Sequence, residues 1–219
     1  RFKASVFTAT LSGTTGLNHH NLSYGASISS QKVFERSREW ERRDSAGYSL
    51  PFDPDALKVV YNLTSNQEKT SSRMAFYVMD TYRLDSHAGY FSINGGIRMS
   101  YWSYNKEFLF SPRASIGFVP AANPRWSLRF ATGLYYQSPF YREYRQPAED
   151  ADGNTVIQLN DWIKSQRSLQ FIMGADFTFR AAGRPFKLSA EAYYKSLGNL
   201  IPYETDNLKL VYAGRNLTD

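Results

Sequence analysis

The sequence predicts an all-β protein, an antiparallel segment of an up-and-down transmembrane β-barrel. Three observations favour this fold class: apolar and polar residues alternate over long stretches, short and long links alternate between them, and aromatic residues fall at two heights. The stretches run to about 11–14 residues, whereas soluble strands usually have about 5–6 and a membrane strand needs roughly 9–11. Strands of this length are typical of a barrel wall that crosses a membrane.

The composition excludes several other classes. Of 219 residues, 42% are apolar and 16% are aromatic, yet the mean hydropathy is −0.49. The longest uninterrupted apolar run is Met74–Met79, far below the roughly 18 residues that indicate a membrane-spanning helix. The absence of cysteine excludes a disulfide framework and a thiolate metal site. If the chain crosses a membrane, it must do so with strands.

The net charge of +6 is compatible with a nucleic-acid partner, but the distribution of basic residues argues against one. Within the predicted strands they occur singly, as Arg98, Arg113 and Arg129 do. Others lie in Glu35–Arg43, where arginines share the segment with glutamates. We interpret this segment as a solvated loop and expect no nucleic acid to bind.

The first four predicted strands are recognised by their period of two residues. Phe2–Leu11 is the first, and in Asn21–Phe34, the second, apolar residues alternate with serine and glycine. Ser72–Leu84 is the third, although its faces do not separate clearly in the sequence. In Gly89–Trp102, the fourth, aliphatic and aromatic residues alternate with serine, asparagine and arginine. Each clear pattern has one apolar and one polar face.

The later strands repeat this pattern. Phe108–Phe118 and Trp126–Gln137, the fifth and sixth, set phenylalanine, leucine and isoleucine against arginine, serine and glycine. Arg167–Arg180 and Pro185–Lys195, the seventh and eighth, have a continuous apolar face of the same kind. A ninth strand begins near Leu208. The sequence thus predicts about nine strands.

The links alternate in length. Short links rich in Gly, Asn, Asp, Pro or Ala join strands one and two, three and four, five and six, and seven and eight. Residues 35–70 and 137–164 are predicted as long loops. Up-and-down barrels of the outer membrane have tight turns on the periplasmic side and longer loops outside. The pattern therefore predicts which end of each strand lies outside.

This orientation sorts the aromatic residues of the apolar faces into two belts. The belt near the short turns comprises Phe91, Phe118, Trp126, Phe179 and Phe186. The belt toward the other end comprises Tyr101, Phe108, Phe110, Tyr136, Phe171 and Tyr194. The apolar face is therefore expected to meet lipid and the polar face an aqueous lumen, in a closed barrel without free edges. The alternative fold is a soluble β-sandwich whose apolar faces pack on each other.

Several stretches resemble a known family. "FSPRASIGFVPAANPRWSLRFATGLYYQSPFYREYR", "SLQFIMGADFTF" and "GRPFKLSAEAYYKSLGNLIPYE" are similar to the barrel of TonB-dependent outer-membrane transporters of the kind abundant in Bacteroidota. "FYVMDTYRL" before "GYFSINGGIRMSYWSY" is similar to mid-barrel hairpins of that family. The resemblance covers most of the chain from about Met74 onward.

The resemblance implies a barrel of 22 strands around an N-terminal plug, located in the bacterial cell outer membrane. It also implies import of a scarce nutrient such as a siderophore, cobalamin, glycan or peptide, powered through the TonB energy-coupling complex of the inner membrane. The implied partners are outer-membrane lipid, the chain's own plug domain, the nutrient and a surface lipoprotein. We expect residues 1–219 to be a partial barrel domain that lacks the plug and the remaining strands.

Charged residues on the polar face are the first set of candidate functional residues. A Lys or Arg on the lipid face costs roughly 2–4 kcal/mol at mid-depth, so these side chains are expected in the lumen. They either hydrate the wall by pairing with one another or hold a plug. The set comprises Arg98, Arg113, Arg129, Asp176, Arg180, Lys187, Glu191 and Lys195.

Aromatic and basic residues of the predicted loops are the second set, because Tyr, Trp and Arg dominate recognition surfaces. The alternative for each is an ordinary solvated loop residue. The set of ligand-loop candidates comprises Trp40, Tyr48, Tyr141, Arg142, Arg145, Trp162 and Tyr203.

No constellation in the sequence predicts catalysis, so we expect no enzyme and no cofactor. His19 and His20 are adjacent, and neighbouring residues on a strand end point to opposite sides, which argues against a metal site. Two function classes therefore remain open. One is an energy-coupled importer, and the other is a passive outer-membrane channel or adhesive barrel; a soluble binding module is the third and weaker possibility.

Overall fold

The computed structural model of the protein describes residues 1–42, 59–151, 155–206 and 209–217. Twelve strands and one short 3-10 helix make up these residues. In chain order they are β1 (Phe2–Leu17), β2 (His20–Arg42), β3 (Val59–Ser86), β4 (Gly89–Trp102), β5 (Glu107–Pro120), β6 (Trp126–Gln137), the 3-10 helix (Tyr141–Tyr144), β7 (Arg145–Glu149), β8 (Thr155–Leu159), β9 (Gln166–Ala181), β10 (Arg184–Gly198), β11 (Tyr203–Asp206) and β12 (Lys209–Tyr212).

Eight long strands form one continuous antiparallel sheet, which we call the wall. Its order is β1-β2-β3-β4-β5-β6-β9-β10, so each strand pairs with the wall strand that follows it in the sequence. This up-and-down order confirms the predicted fold class. The bounds of β4 are those that the sequence predicted.

Tight turns join the wall strands at one end. The link between β9 and β10 has two residues, Ala182 and Gly183, whose φ angles are 49° and 74°. Two successive positive φ angles are typical of the type I′ turn, whose twist matches that of the two strands it connects. A glycine is favoured at the second position because it adopts positive φ without steric cost.

The wall separates apolar from polar side chains as the sequence predicted. The outward face carries aliphatic side chains that are largely exposed, such as Leu11 at 76% and Met173 at 64%. In the part of the chain that the structure describes, no second sheet packs on this face. The β-sandwich alternative is therefore wrong, because its apolar faces would cover each other.

The outward aromatic residues meet across strands. Near the tight turns, the ring centroids of Phe91 and Phe118 are 4.4 Å apart, and those of Phe179 and Phe186 are 5.5 Å apart. Toward the other end, Tyr101 lies opposite Phe108. Phe91 and Tyr101 are ten residues apart in β4 (101 − 91), about 34 Å along a strand and about 24 Å along the normal at a tilt of about 45°. This separation matches the apolar band of an outer-membrane barrel, about 25 Å tall.

The long loop predicted at residues 35–70 is wrong over most of its length. β2 continues to Arg42 and β3 begins at Val59, with a regular register from Glu35 opposite Gln67 to Glu41 opposite Tyr61. Charged residues occupy both faces here, so the hydrophobic alternation that marks a strand is missing although the backbone pairing continues. The two strands thus form a long hairpin that extends beyond the belt that includes Tyr101 and Phe108.

The other long link, residues 137–164, also contains regular structure. It includes the 3-10 helix and the hairpin β7–β8. β8 runs parallel to the extended part of β3, with Leu63 opposite Thr155 and Thr64 opposite Val156. The edge of β3 that lies beyond the end of β4 is therefore covered by this link.

The ninth predicted strand does not join the wall. β12 pairs instead with β11 in a separate two-stranded sheet, with Tyr203 opposite Tyr212. Each strand of this pair has four residues, too few for a crossing that needs roughly 9–11. Within the described ranges, the wall therefore has eight strands.

The core of the structure is a cluster on the inward side of the wall, at the end opposite the tight turns. It is formed where the connection between β6 and β9, which we call the 138–165 link, folds back onto β2, β4 and β5. We call it the loop cluster. Its buried residues are Val33, Trp102, Tyr104, Tyr141, Tyr144, Ile163 and Ile201. The described residues include no helix with the length and apolar character that a membrane crossing requires.

Candidate functional site on the inward face

The register of the wall brings all eight charged candidates to its inward face. Arg98 lies opposite Ser111 and Arg113 opposite Gly133, so these arginines share a face with polar and small residues. The same register places the other charged candidates, from β6, β9 and β10, on this face: Arg129, Asp176, Arg180, Lys187, Glu191 and Lys195.

Four of these residues form one ion-pair network. The guanidinium of Arg129 donates to Asp176 Oδ2 at 2.7 Å and to Glu191 Oε2 at 3.0 Å. The Nζ of Lys187 lies 3.1 Å from the same Asp176 oxygen. Gly174 stands opposite Arg129 in the register, and a Cβ at this position would lie 2.6 Å from Arg129 Nε. The missing side chain of Gly174 therefore leaves room for the arginine to reach both carboxylates.

Arg113 is held in a different way. Its guanidinium carbon lies 4.4 Å from the centroid of the Tyr135 ring, a cation–π geometry that favours arginine. Gly133 lies beneath this ring, since a Cβ there would approach it to 2.9 Å. Arg98, Arg180 and Lys195 share the inward face with these groups. The inward face thus carries both positively and negatively charged side chains.

A hydrogen-bonded row crosses the same face between these charges. Thr81 Oγ1 donates to Asn94 Oδ1 at 2.7 Å, and Asn94 Nδ2 donates to Ser115 Oγ at 3.0 Å. The three residues come from β3, β4 and β5. The wall is therefore polar across several strands on this side.

The structure divides the ligand-loop candidates into exposed and buried residues. Trp162 is 87% exposed, and Arg142, Tyr203 and Trp40 are also exposed. Trp40 lies near the end of β2, at a position that alternation directs outward. Tyr48 lies outside the described residues. We call the end of the wall opposite the tight turns its open end. The exposed candidates at this end come from separate segments of the chain.

Two further candidates, Tyr141 and Arg145, contact Glu35 beside the loop cluster. Tyr141 is 5% exposed, and its hydroxyl donates to Glu35 Oε2 at 2.8 Å. Ser65 Oγ donates to the same oxygen at 2.9 Å, and Arg145 Nε lies 3.1 Å from it. Tyr141 and Arg145 thus fasten the 138–165 link to β2, a role that the sequence pattern did not indicate.

Glu107 fastens the other end of this link. Its Oε2 accepts hydrogen bonds from the backbone N–H of Ser165 at 3.0 Å and from the Ser165 hydroxyl at 2.5 Å. Asn105 Nδ2 donates to the same carboxylate at 3.1 Å and to the carbonyl of Ile163 at 2.7 Å. The start of β9 is therefore tied to the β4–β5 link.

The aromatic rings of the loop cluster contact one another and two cations. Trp102 and Tyr104 stack with centroids 5.0 Å apart, and Tyr144 lies 4.5 Å from Tyr104. The Arg73 guanidinium lies 4.7 Å from the Trp102 ring, and Lys69 Nζ lies 5.0 Å from the Tyr104 ring. These contacts form a buried aromatic cluster with two cations packed on its rings.

Some polar atoms of the cluster are buried without a hydrogen-bond partner among the described residues. They are the indole N–H of Trp102, the Tyr104 hydroxyl and the Nε of Arg73. A buried donor without a partner costs about 1–3 kcal/mol.

Burial also affects the titration of the cluster. It raises the pKa of Tyr144 to about 12, against a small opposing effect of Arg73. Burial likewise raises the pKa of Tyr104 and, together with the hydrogen bond to Glu35, that of Tyr141. It raises the pKa of Glu143, although this carboxylate accepts hydrogen bonds from the Phe140 N–H and from Gln166. The three hydroxyls are therefore protonated at neutral pH.

Sequence reasoning missed the residues that anchor the cluster, above all Glu35, Glu107 and Trp102. Glu35 was assigned to a solvated loop, yet it continues the face of β2 that carries Val33. That continuation is a usable signal, whereas Glu107 and Trp102 lie next to a short link and have no distinguishing pattern. Only the fold brings the 138–165 link to them.

The described residues do not form a candidate metal site. Within the described ranges, no group of three or more His, Asp or Glu side chains could hold a metal ion. His20 Nδ1 lies 2.6 Å from Asp80 Oδ2, and the ring of His19 lies 6.3 Å from that of Tyr82. The His20 ring also lies 4.7 Å from that of Tyr82, so both histidines contact this tyrosine, and of the two only His20 pairs with a carboxylate of the described residues.

Comparison with solved structures identifies the architecture. The ferric enterobactin receptor PfeA matches 98% of this chain with a TM-score of 0.64 and 14% identity. The siderophore receptor PirA from Acinetobacter baumannii matches 92% with a TM-score of 0.60 and 15% identity. The outer membrane transporter YddB from Escherichia coli matches 96% with a TM-score of 0.62 and 15% identity.

The chain spans between 28% and 32% of the length of these three proteins. No protein-family model matches the chain, and a comparison with curated proteins gives no match. At 14–15% identity the likeness concerns the fold. The resemblance to the barrel of TonB-dependent outer-membrane receptors, inferred above from sequence, is confirmed at that level: the chain has the fold of part of such a barrel wall.

Proposed function

We propose that this chain is part of the barrel of a TonB-dependent transporter in the bacterial outer membrane, which imports a scarce nutrient. The observation that carries the proposal is the separation of faces across the eight wall strands: the outward face is mostly apolar, apart from the His20–Asp80 pair, and the inward face is charged. A closed barrel built from such strands has lipid on one side and water on the other. The solved receptors and transporter with this fold support the same function.

The inward charges suit contact with a plug domain of the same protein. The network of Arg129, Asp176, Lys187 and Glu191 satisfies its own charges in pairs. Ion pairs that remain partly exposed exchange partners at low cost, because each is worth about 0–1 kcal/mol. A plug can therefore bind here and still be displaced when the TonB complex acts on it.

The open end of the wall suits contact with a polar nutrient. Arg142 and Trp162 offer exposed donors and ring surface. Aromatic rings provide contact area at low entropic cost, and arginine binds carboxylates and phosphates. Siderophores, cobalamin, glycans and peptides all carry groups of these kinds. Two of the solved structures are siderophore receptors, so a ferric siderophore is the first substrate class to test.

The test uses the full-length protein in cells that depend on it for uptake. Uptake of labelled ferric siderophore is measured for Arg142→Ala combined with Trp162→Ala. The control is Arg125→Ala, which removes an exposed arginine at the tight-turn end of the wall. We expect at least tenfold weaker uptake in the double variant and unchanged uptake in the control. Equal loss in both variants, or no loss in either, would contradict a ligand-binding role for these loops.

Energy coupling is tested separately. Uptake is compared with and without an intact inner-membrane TonB complex. An energy-coupled importer loses uptake when the complex is removed, whereas a passive channel retains it. Retained uptake would therefore assign the chain to a channel. If siderophores fail, the same assay with cobalamin, glycans and peptides identifies the substrate class.

A further inference from the structure

The 138–165 link crosses the inward side of five neighbouring wall strands. On β1, the ring centroid of Phe2 lies 5.7 Å from that of Tyr141. On β3, Arg73 Nη2 donates to the carbonyl of Pro139, a fully buried residue, at 3.2 Å. The contacts of the link on β2, β4 and β5 lie between or beside these two. Five strands have four gaps of about 4.8 Å, so the link covers roughly 19 Å of the wall.

The wall residues in these contacts belong to the inward face. Phe2 lies opposite Glu35, which continues the inward face of β2. Trp102 is four residues from Arg98 in β4 and shares its face, and Arg73 lies opposite Trp102. The link therefore occupies part of what we call the lumen mouth, the space on the inward side of the wall at its open end.

The register also gives the height of the link. Trp102, which the link buries, is the neighbour of Tyr101 in the outward aromatic belt away from the tight turns. Arg73 precedes Met74, which lies opposite Tyr101. The link therefore begins at the level of this belt, where the wall leaves the membrane.

A second segment, the described part of residues 199–217 after β10, joins the link through asparagine side chains. Asn216 Oδ1 accepts from the N–H of Lys164 at 2.8 Å, and Asn216 Nδ2 donates to the Lys164 carbonyl at 2.9 Å. Asn199 Nδ2 donates to the carbonyl of Ser165 at 3.2 Å. These amides satisfy backbone groups of the link as a paired strand would.

The two segments are also closely packed. Asn160 Nδ2 donates to the carbonyl of Gly214 at 2.8 Å, and a Cβ at Gly214 would lie 2.6 Å from the carbonyl oxygen of Arg145. The rings of Phe140 and Tyr212 meet edge to face with centroids 5.2 Å apart. The two segments thus form one structure, which we call the loop layer; it comprises residues 138–151, 155–165, 199–206 and 209–217.

Buried contacts hold the loop layer in place. Its interior includes the aromatic loop cluster, and the buried carboxylate of Glu35 and the carboxylate of Glu107 fasten it to the wall. Segments that open easily have few buried contacts and many exposed backbone hydrogen bonds. A layer with this many buried contacts is expected to keep its position while a solute passes.

We propose that the loop layer is a fixed constriction of the lumen mouth, which closes the sector beside β1–β5 and limits the size of the solutes that enter there. A nutrient that binds at the open end then reaches the lumen only by passing beside the layer. Size selection is thus separate from recognition by exposed residues such as Arg142 and Trp162. This inference rests on the proposed function, since it requires the inward side of the wall to be a lumen.

The experiment measures which reagents reach the inward face below the layer in the full-length protein on intact cells. The probe is Ala75→Cys, because Ala75 lies two residues from Arg73 on the same inward face, opposite Ser27 and Ser100. The 219 residues contain no cysteine, and the protein without the probe gives the background. Labelling rates are compared for a small maleimide and for maleimides that carry polyethylene glycol chains of increasing length.

Two double variants, each combined with the probe, loosen the layer. Glu35→Gln with Glu107→Gln removes the carboxylates that fasten the layer to the wall. Asn199→Ala with Asn216→Ala separates the two segments and leaves the wall residues unchanged, so it tests the proposal even if the first variant does not fold. Folding of each is checked by its heat-resistant band on a gel.

The controls lie on the outward side of the β2–β3 hairpin. Glu68→Gln also neutralises a carboxylate, but one that pairs with Lys32 on that side. Asn66→Cys, at an exposed outward residue, reports the reactivity of each reagent where no layer lies in its path.

With the layer intact, the longest reagents should label the probe thiol at least tenfold more slowly than the small maleimide, relative to their rates at the Asn66 control. In the layer variants the long reagents should gain roughly tenfold, the factor expected for losing a hydrogen bond to a charged group. Glu68→Gln should leave the ratio unchanged. Equal rates for short and long reagents with the layer intact, an unchanged size limit in both layer variants, or no labelling by the small maleimide in any protein would each overturn the proposal.

Failure of this inference is distinguishable from failure of the proposed function, because labelling does not depend on uptake. A protein whose size limit is relaxed in the layer variants but which imports nothing would contradict the transport function alone. A protein that imports its nutrient and keeps the same size limit in both layer variants would contradict this inference alone.

Discussion

The hydroxyl of Tyr141 donates a 2.8 Å hydrogen bond to Glu35 Oε2, across 106 positions of sequence. Ser65 and Arg145 converge on the same carboxylate oxygen. One buried acceptor thus connects β2, β3 and the 138–165 link. The link is therefore part of the folded structure at the open end of the wall, and Tyr141 and Arg145, two of the ligand-loop candidates, hold it in place.

Replacing Glu35 with Gln should loosen this link. The change removes the charge that pairs with Arg145 and leaves a partly buried cation. Loss of a buried hydrogen bond to a charged group costs about 1–3 kcal/mol, so amides of β7 and β8 should exchange hydrogen roughly tenfold faster or more. Hydrogen exchange followed by mass spectrometry measures this. Tyr203→Phe, at an exposed residue of β11, is the control, and equal exchange in all three proteins would show that Glu35 is not the anchor.

Alkaline pH should open the same region. Tyrosine ionises near pH 10 in an unfolded chain, whereas burial raises the pKa of Tyr144 to about 12. The folded state holds its proton more tightly, so stability is complete below about pH 10 and is lost as pH rises toward 12. Hydrogen exchange in β7 and β8 should therefore accelerate across this window. In Tyr144→Phe the acceleration should be smaller, and an identical pH profile would exclude Tyr144 as its source.

Sequence reasoning predicted the wall well because each strand has one face in contact with an apolar phase. The pattern in Gly89–Trp102 therefore coincides with β4. It failed beyond Phe34, where Glu35 and Arg36 lie on opposite faces of the same strand and hydropathy no longer alternates. Pairing between β2 and β3 continues there through backbone hydrogen bonds, which no side-chain pattern records.

The candidate site was predictable to the same extent. The inward position of Arg129 and Asp176 follows from the period of two, since a charge that faces lipid at mid-depth is costly. Their mutual distance depends on which strands are neighbours, and β6 pairs with β9 only because the 138–165 link leaves the space between them and folds onto the inward side of the wall. The burial of Tyr141 depends on that fold as well, and a sequence pattern does not contain it.

Gly174 should be required for the inward network. An added Cβ would lie 2.6 Å from Arg129 Nε, so Gly174→Ala should push the guanidinium away from Asp176 and Glu191. We expect a melting temperature a few degrees lower for the purified full-length protein. Gly117→Ala is the control, because its Cβ would lie 3.9 Å from the nearest atoms, in ordinary contact. A melting temperature unchanged by Gly174→Ala would show that Arg129 finds another position without loss.

The two faces of the wall should differ in their access to lipid-soluble and water-soluble relaxation agents. Ile97, Ile116, Leu128 and Ala190 lie on the outward face, and Arg98, Ser115 and Arg129 lie on the inward face. Spin labels at the outward positions, in the full-length protein reconstituted in bilayers, should be relaxed by oxygen, which concentrates in lipid. Labels at the inward positions should respond instead to a water-soluble relaxant or be shielded from both agents by the plug.

The two sets are matched in depth, because Ile116 and Ser115 are neighbours in one strand, as are Leu128 and Arg129. A difference within each pair therefore reports the face of the wall and not the height in the membrane. Oxygen should relax the label at Ile116 more strongly than that at Ser115, and the label at Leu128 more strongly than that at Arg129. The same response from both members of each pair would contradict the assignment of a lipid-facing and a lumen-facing side, and with it the barrel wall on which the proposed function depends.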